Sequence, residues 1–308
     1  MPQVILHHYG LSPFSEKVRL AFGVKGMHWT SVEVPMQPPR PHLIPLIGGY
    51  RRIPVAQVGA NYYCDTTAIL PMLERIKSTP TLYPAGTEGV ARALSFAFER
   101  FSFMPLVNVL SHFAGDQLPP DLVKDRKDDF IGVDISKAGM ADTLWQNLQR
   151  LHAQFAWLKV ALSDGRRFLF GERPSAADLS CFHLIWLVRA NCPPEADVMM
   201  NFEALAPWYD RVMNIGHATS EPMTPEQAME VAARSTPAPP DHIKPGFDPN
   251  GMVAGQLVTV TPDDNARKPV SGELVASDAA EIVIRRRVEP VGDIYVHFPR
   301  AGFDVARG

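Results

Sequence analysis

Cysteine is scarce in this chain: Cys64, Cys181 and Cys192 are the three among 308 residues. Their odd number and wide spacing exclude a disulfide framework, a CxxC redox motif and a cysteine-built metal site. Three buried small hydrophobes in a reducing, cytoplasmic setting are the expectation. An excess of charge of one sign is also lacking, with 30 Lys and Arg against 33 Asp and Glu. Nothing therefore draws the chain towards nucleic acid or an anionic membrane. No run of about 18 apolar residues occurs, so no transmembrane helix is expected. The opening "MPQVILHHYG" has neither a basic lead nor a long apolar stretch, so no signal peptide is expected. Against these absences stand 46% apolar and 20% charged residues, an ordinary globular balance. The length suffices for two or three cores. Proline is abundant, 29 residues, and its clusters help to place boundaries.

Residues 1–78 alternate strand and helix. "VILHHYG" is a strand, "SEKVRLAFGVKG" a helix and "HWTSVEVP" a strand; "MQPPRPHLIPLIGGYRR" is irregular. "IPVAQVG" and "NYYCD" follow as a hairpin, and "TTAILPMLERI" as a helix capped by Asp65 or Thr66. That order resembles a thioredoxin-like half. Residues 87–217 lose the strand signal and read as a helical bundle, whose central helix, "SAADLSCFHLIWLVRAN", is apolar nearly all round. Residues 218–250 read as a linker with a short helix, opened by a capping box from Thr224 to Gln227. Residues 251–308 return to alternating strands, expected to form a small β-barrel or a short curled sheet. The expected architecture is an α/β thioredoxin-like domain, an all-α bundle and a small all-β C-terminal module.

The first strand is left through "LSPFSEKVRLAF". Ser12 is a good N-cap, and Pro13 suits the first helical position, where a missing N–H costs nothing. Ser15 is an alternative cap one turn on. Val18, Leu20, Ala21 and Phe22 form the apolar face, and Glu16, Lys17 and Arg19 are left for solvent. Two readings stay open: an ordinary strand-to-helix turn, or an anion site at the positive helix end with a hydroxyl aimed into it. His7 and His8 read as alternating strand residues, one in and one out. Of "RRR", Arg285 and Arg287 share one strand face and Arg286 takes the other, which suits a solvated sheet edge better than a nucleic-acid contact. The phenylalanines of "FAFERFSFM" read mainly as core, with some left over to line a pocket.

Four motifs, in this order, resemble the cytosolic glutathione transferases. "SPFSEKVRL" is similar to the family's first turn, "RRIPV" to its cis-proline loop, and "CDTTAIL" to its acidic-hydroxyl pair. "SAADL" is similar to the capping box of its central bundle helix. In the serine classes (theta- and zeta-like) the catalytic hydroxyl stands where Ser12 stands. Omega-like and dehydroascorbate-reductase-like members have cysteine there, in a "CPF" motif. The resemblance covers about 215 residues and leaves 251–308 outside.

The resemblance implies glutathione as co-substrate. Ser12, with Ser15 as the alternative donor, would hold the thiolate, since a thiol of pKa ~8.5 needs a helix end or a donor to ionise at neutral pH. A hydroxyl cannot form a mixed disulfide, which favours conjugation or addition over redox exchange. Ile53-Pro54 would be cis, with Ile53 pairing to the cysteinyl backbone; a trans proline opening an edge strand is the plain alternative. Asp65 and Thr66 would hold the γ-glutamyl end, although an N-cap explains them as well. Arg52 would meet the glycyl carboxylate, with Arg51 and His42 as weaker candidates. The electrophile, small and hydrophobic, would lie between the Ser12 turn and the first long helix, among Phe96, Phe98, Phe101, Phe103 and Met104. A homodimer is implied, with no metal, nucleic-acid or membrane partner. Two rivals remain: a glutathione-dependent peroxidase, isomerase or lyase, and a non-catalytic binding or scaffold protein acting through the β-module.

Overall fold

The computed structural model describes residues 1–84, 86–244 and 248–308. From the N-terminus, β1 (Ile5–His8) leads into α1 (Pro13–Lys25), β2 (Trp29–Glu33), β3 (Val55–Val58), β4 (Asn61–Cys64) and α2 (Thr66–Ile76). Then come α3 (Glu88–Ala114), α4 (Pro120–Asp125), α5 (Lys137–Met140), α6 (Leu144–Ala161), α7 (Ala176–Asn191), α8 (Glu195–Met199) and α9 (Ala206–Met213). The chain ends with β5 (Ser220–Pro222), α10 (Pro225–Ala233), β6 (Leu257–Pro262), β7 (Val270–Ser277), β8 (Glu281–Val288), β9 (Gly292–Pro299) and β10 (Phe303–Arg307). Met1–Ser15, His28–Ile76 and Thr219–Gly308 make one compact unit; Glu16–Met27 and Lys77–Ala218 make the other.

The first unit holds one ten-stranded sheet, ordered β10-β6-β7-β8-β9-β4-β3-β1-β2-β5. Its middle is the thioredoxin-like set: β1 runs parallel to β2 and antiparallel to β3, and β3 pairs antiparallel with β4. Such a set has two open edges, each a row of unpaired N–H and C=O groups. Here β9 closes one by lying parallel to β4, with Tyr62 opposite Val296, and β5 closes the other against β2. The C-terminal strands thus form an open sheet rather than a closed barrel, because β10 pairs with β6 and not with β9. They share one core with the first strands: Val55, Tyr62 and Cys64 pack in a single cluster with Ile284, Val296 and Phe298. The stretch expected as linker is pinned as well. The Gln57 side chain donates to Ala228 O at 2.8 Å, and Thr224 and Gln227 cap α10 reciprocally. Residues 245–247, part of that stretch, lie outside the described residues.

His7 and His8 are both buried rather than alternating. Each has an internal partner: His7 Nε2 donates to Gln57 Oε1 at 2.9 Å, and His8 Nε2 lies 2.8 Å from Ser31 Oγ. Burial holds the His7 imidazole down to about 4, so it stays neutral. Arg285 and Arg287 of the "RRR" run are exposed, as a solvated face requires, but β8 lies between β7 and β9 and not at a sheet edge. Arg285 pairs with Glu273 at 2.6 Å, whereas Arg286 donates to the carbonyls of Leu46 (3.0 Å) and Ser271.

In the second unit α7 is the buried centre. Ser175 and Asp178 form the capping box, and Asp178 Oδ1 also accepts from the Leu169 N–H (2.8 Å) and Trp208 Nε1 (2.9 Å). Glu16, Lys17 and Arg19 are not left for solvent; all three are buried. Each has an opposite partner: Lys17 meets Glu99 at 2.6 Å, and Glu16 meets Arg19 at 2.7 Å and His217 at 2.9 Å. The helical span Glu88–Gln117 is long and apolar enough to cross a membrane by length and composition, which no unbroken apolar run had signalled. It carries buried Ser102, Asn108 and Ser111 and packs against α6 and α7, as a bundle helix does.

Candidate functional site

The seven sequence-expected site residues all fall in the sheet unit, whose first segment ends at Ser15. Leaving β1, the chain turns so that the Ser12 N–H donates to Tyr9 O at 3.1 Å. Ser12 Oγ then accepts from the Ser15 N–H at 3.1 Å, the ordinary contact of an N-cap. That bond uses a lone pair and leaves the hydroxyl proton for another acceptor. Both hydroxyls are buried, and Ser15 Oγ has no hydrogen-bond partner among the described residues. Two serine hydroxyls therefore stand at the positive end of a 13-residue helix with donor capacity in hand.

The Ile53-Pro54 bond is cis, and Ile53 makes no hydrogen bond among the described residues. Its backbone edge can therefore take an extended ligand segment. Asp65 has φ 77, left-handed for a residue with a side chain. The conformation is held from both sides: Asp65 Oδ1 accepts from the Thr67 N–H at 2.9 Å, and its carbonyl accepts from Ala68 and Ile69. Thr66, buried, is the first residue of α2. The neighbouring Cys64 is buried, and burial and then Asp65 push its thiol well up, which disfavours the thiolate.

Arg52 is engaged in a way that its motif does not reveal. Its guanidinium pairs with Asp264 and donates to Asn265 O, both on the β6–β7 turn, and lies 5.9 Å over the Phe303 ring. Asp65 Oδ2 is 4.0 Å away on its other side. Burial works against its charge, but Tyr50, Asp264 and Asp65 outweigh it and raise its pKa. Of the weaker candidates, His42 pairs with Glu226 at 2.9 Å, and the Arg51 carbonyl accepts from Arg40 at 2.6 Å. Asp264 and Asn265 escaped the sequence reading because they lie more than 200 positions from Arg52 in a stretch that reads only as a turn.

On α3 the phenylalanines divide. Phe98 is buried, and Phe103 and Met104 pack on Val107, Ile135 and Met140. Phe96 lies under the Arg100 guanidinium at 5.1 Å, and Phe101 is exposed. Among the described residues no cluster of His, Cys, Asp and Glu is arranged to hold a metal ion.

Residues 6–81 match the glutathione S-transferase N-terminal domain, and residues 128–211 match its C-terminal domain. A GST-like protein from Pseudomonas syringae is 34% identical, with a TM-score of 0.81 and 100% of each chain covered. That match includes the C-terminal strands. A glutathione S-transferase of Ceriporiopsis subvermispora, solved with glutathione, shares the fold at 20% identity and TM-score 0.53, over 70% of this chain and 98% of its own. One from Methylobacterium radiotolerans, solved with glutathione sulfonate, does so at 21% and 0.50, over 72% and 98%. No curated protein matches the chain. The chain belongs to the glutathione S-transferase family: a thioredoxin-like domain and a helical bundle, here with a C-terminal β-module.

Proposed function

We propose that this protein is a glutathione transferase that adds the glutathione thiolate to a small hydrophobic electrophile. The observation that carries the reading is the buried Ser12 hydroxyl at the start of α1, whose oxygen accepts from Ser15 N–H and whose proton is left to donate. In this reading the γ-glutamyl carboxylate meets the N-terminus of α2 at Thr66, and Asp65 takes its ammonium. The cysteinyl backbone pairs with Ile53 beside Pro54, and Arg52 faces the glycyl end. Ser12 donates to the sulfur, with Ser15 as the alternative donor, and the helix dipole favours the negative charge. The thiol proton leaves to solvent. The thiolate electron pair then forms the new S–C bond, either displacing a leaving group or adding across an activated double bond.

A homodimer in the cytoplasm completes the proposal. Peroxidase, isomerase or lyase activity would use the same thiolate. The scaffold reading calls for an apolar exposed face on the β-module, yet the large apolar residues exposed there, among those described, are Val253 and Leu257. The test is calorimetric titration of glutathione into wild type and Ser12→Ala, followed by thiolate absorbance of each complex across pH. Both proteins should bind, and only wild type should lower the thiol pKa. Absence of binding to wild type at millimolar glutathione sinks the proposal.

A further inference from the structure

The β6–β7 turn brings a carboxylate to the cation that would otherwise await the glycyl end of glutathione. Asp264 and the Asn265 carbonyl both take the Arg52 guanidinium, and Asp65 approaches it from the other side. The turn is held in place, since the Asp263 N–H donates to Gly302 O at 3.0 Å and Lys268 N–H to Ala266 O at 2.7 Å. The ring of Phe303 lies under the same guanidinium. An incoming carboxylate therefore meets an arginine that is already neutralised, beside an acceptor carbonyl and a like charge a few ångströms away. Such a neighbour opposes a second carboxylate. An amide or ester at that position feels no such opposition, and a cation is attracted.

We propose that Asp264 is a specificity-determining residue that turns this subsite against a free terminal carboxylate. The preferred thiol is a γ-glutamylcysteinyl peptide whose glycyl end is uncharged or cationic. This rests on the glutathione reading above, and deepens it by naming the thiol class. The C-terminal module acquires a role by it: one of its turns reads the far end of the thiol.

The experiment is calorimetry of the full chain with two probes, glutathione and its glycyl monoethyl ester. Each is titrated into wild type, Asp264→Asn and a control on the same turn, Arg267→Gln, whose side chain meets exposed Asp304 of β10. Wild type should bind the ester about fivefold to tenfold more tightly than glutathione. Asp264→Asn should gain a similar factor for glutathione and none for the ester, and Arg267→Gln should behave as wild type. Unfolding midpoints of the three proteins check that the turn stays folded. Equal affinity of wild type for both probes, or an Asp264→Asn profile identical to wild type, overturns the assignment of Asp264 and leaves glutathione binding intact. Failure of every protein to bind either probe at millimolar concentration overturns the glutathione reading and this inference with it.

Discussion

His297 Nδ1 lies 2.6 Å from Glu281 Oε1, with both side chains out of solvent, and its Nε2 lies 2.9 Å from Asn61 Oδ1. The contact joins β8 and β9 to β4 at the seam where the C-terminal strands meet the thioredoxin-like set. Arg75 at 3.3 Å and His242 at 3.1 Å complete the ring around Glu281. Burial works against the carboxylate, but the His297 hydrogen bond, aided by Arg75 and His242, holds its pKa at about 2 against 4.5 for a free group. A depressed carboxyl stabilises the fold fully above about pH 4.5, and that stabilisation is lost as pH falls through about 2. Glu281→Gln should therefore cost roughly 3 kcal/mol at pH 7, with a shrinking difference from wild type below pH 4.5. Denaturant melts of both proteins at pH 7 and pH 3 check this. A difference that stays constant with pH would refute it.

Lys17, Glu99 and His183 form the corresponding buried cluster in the helical unit, with Glu99 Oε1 2.6 Å from Lys17 Nζ and 3.1 Å from His183 Nε2. Burial opposes the Glu99 charge, yet Lys17 and then His183 pull its pKa down to about 2. Removing one partner strands the other in a low-dielectric site, whereas removing both leaves apolar surface. Lys17→Met alone should cost about 3–4 kcal/mol, and Lys17→Met with Glu99→Leu distinctly less. A double-mutant cycle by chemical denaturation measures the coupling; purely additive losses would show that the pair is not stabilising.

Much of this was legible in the sequence, because periodicity, caps and turn residues are local. The strand–helix order, the Ser175–Asp178 box and the Thr224–Gln227 box each follow from a few neighbouring residues. Ser12 as the cap of α1 follows in the same way, whereas the cis Ile53-Pro54 bond was expected only from the family resemblance. What escaped depends on distant partners. Glu16, Lys17 and Arg19 read as a solvent face because charge alone does not disclose a buried Glu99 or His217. The β-module read as separate because alternation marks a strand without naming its neighbour, and β9 finds β4. Arg52 read as an open cation because Asp264 is remote in sequence.

Gly23 lies inside α1, where alanine would ordinarily be the better helix former by about 1 kcal/mol. A Cβ at this position would fall 1.9 Å from the Gly216 carbonyl oxygen, a backbone atom that cannot swing aside. Gly216 itself holds φ +67, so the close approach depends on two glycines. Overpacking should win, and Gly23→Ala should destabilise the protein by about 2 kcal/mol in spite of propensity. Thermal melts decide the matter: a raised midpoint would mean that the two backbones separate freely.

The Ser12 turn makes a prediction that distinguishes the two hydroxyls. Ser12→Cys puts a thiol at the start of α1, where the helix end favours its thiolate. That thiolate should attack oxidised glutathione, forming a mixed disulfide at residue 12 and releasing one glutathione thiolate, so that no external oxidant is needed. The native thiols compete poorly. Burial pushes Cys192 up to about 11 and holds Cys64 and Cys181 well above their ordinary value. Peptide mapping by mass spectrometry should therefore find the adduct on residue 12 in Ser12→Cys and none in wild type. The variant should lose about 1 kcal/mol of stability, since cysteine is the weaker cap for the Ser15 N–H. An adduct in Ser15→Cys but not in Ser12→Cys would transfer the thiol contact to Ser15, whose hydroxyl is the buried one without a partner. Reaction at neither position would remove the thiol from this turn.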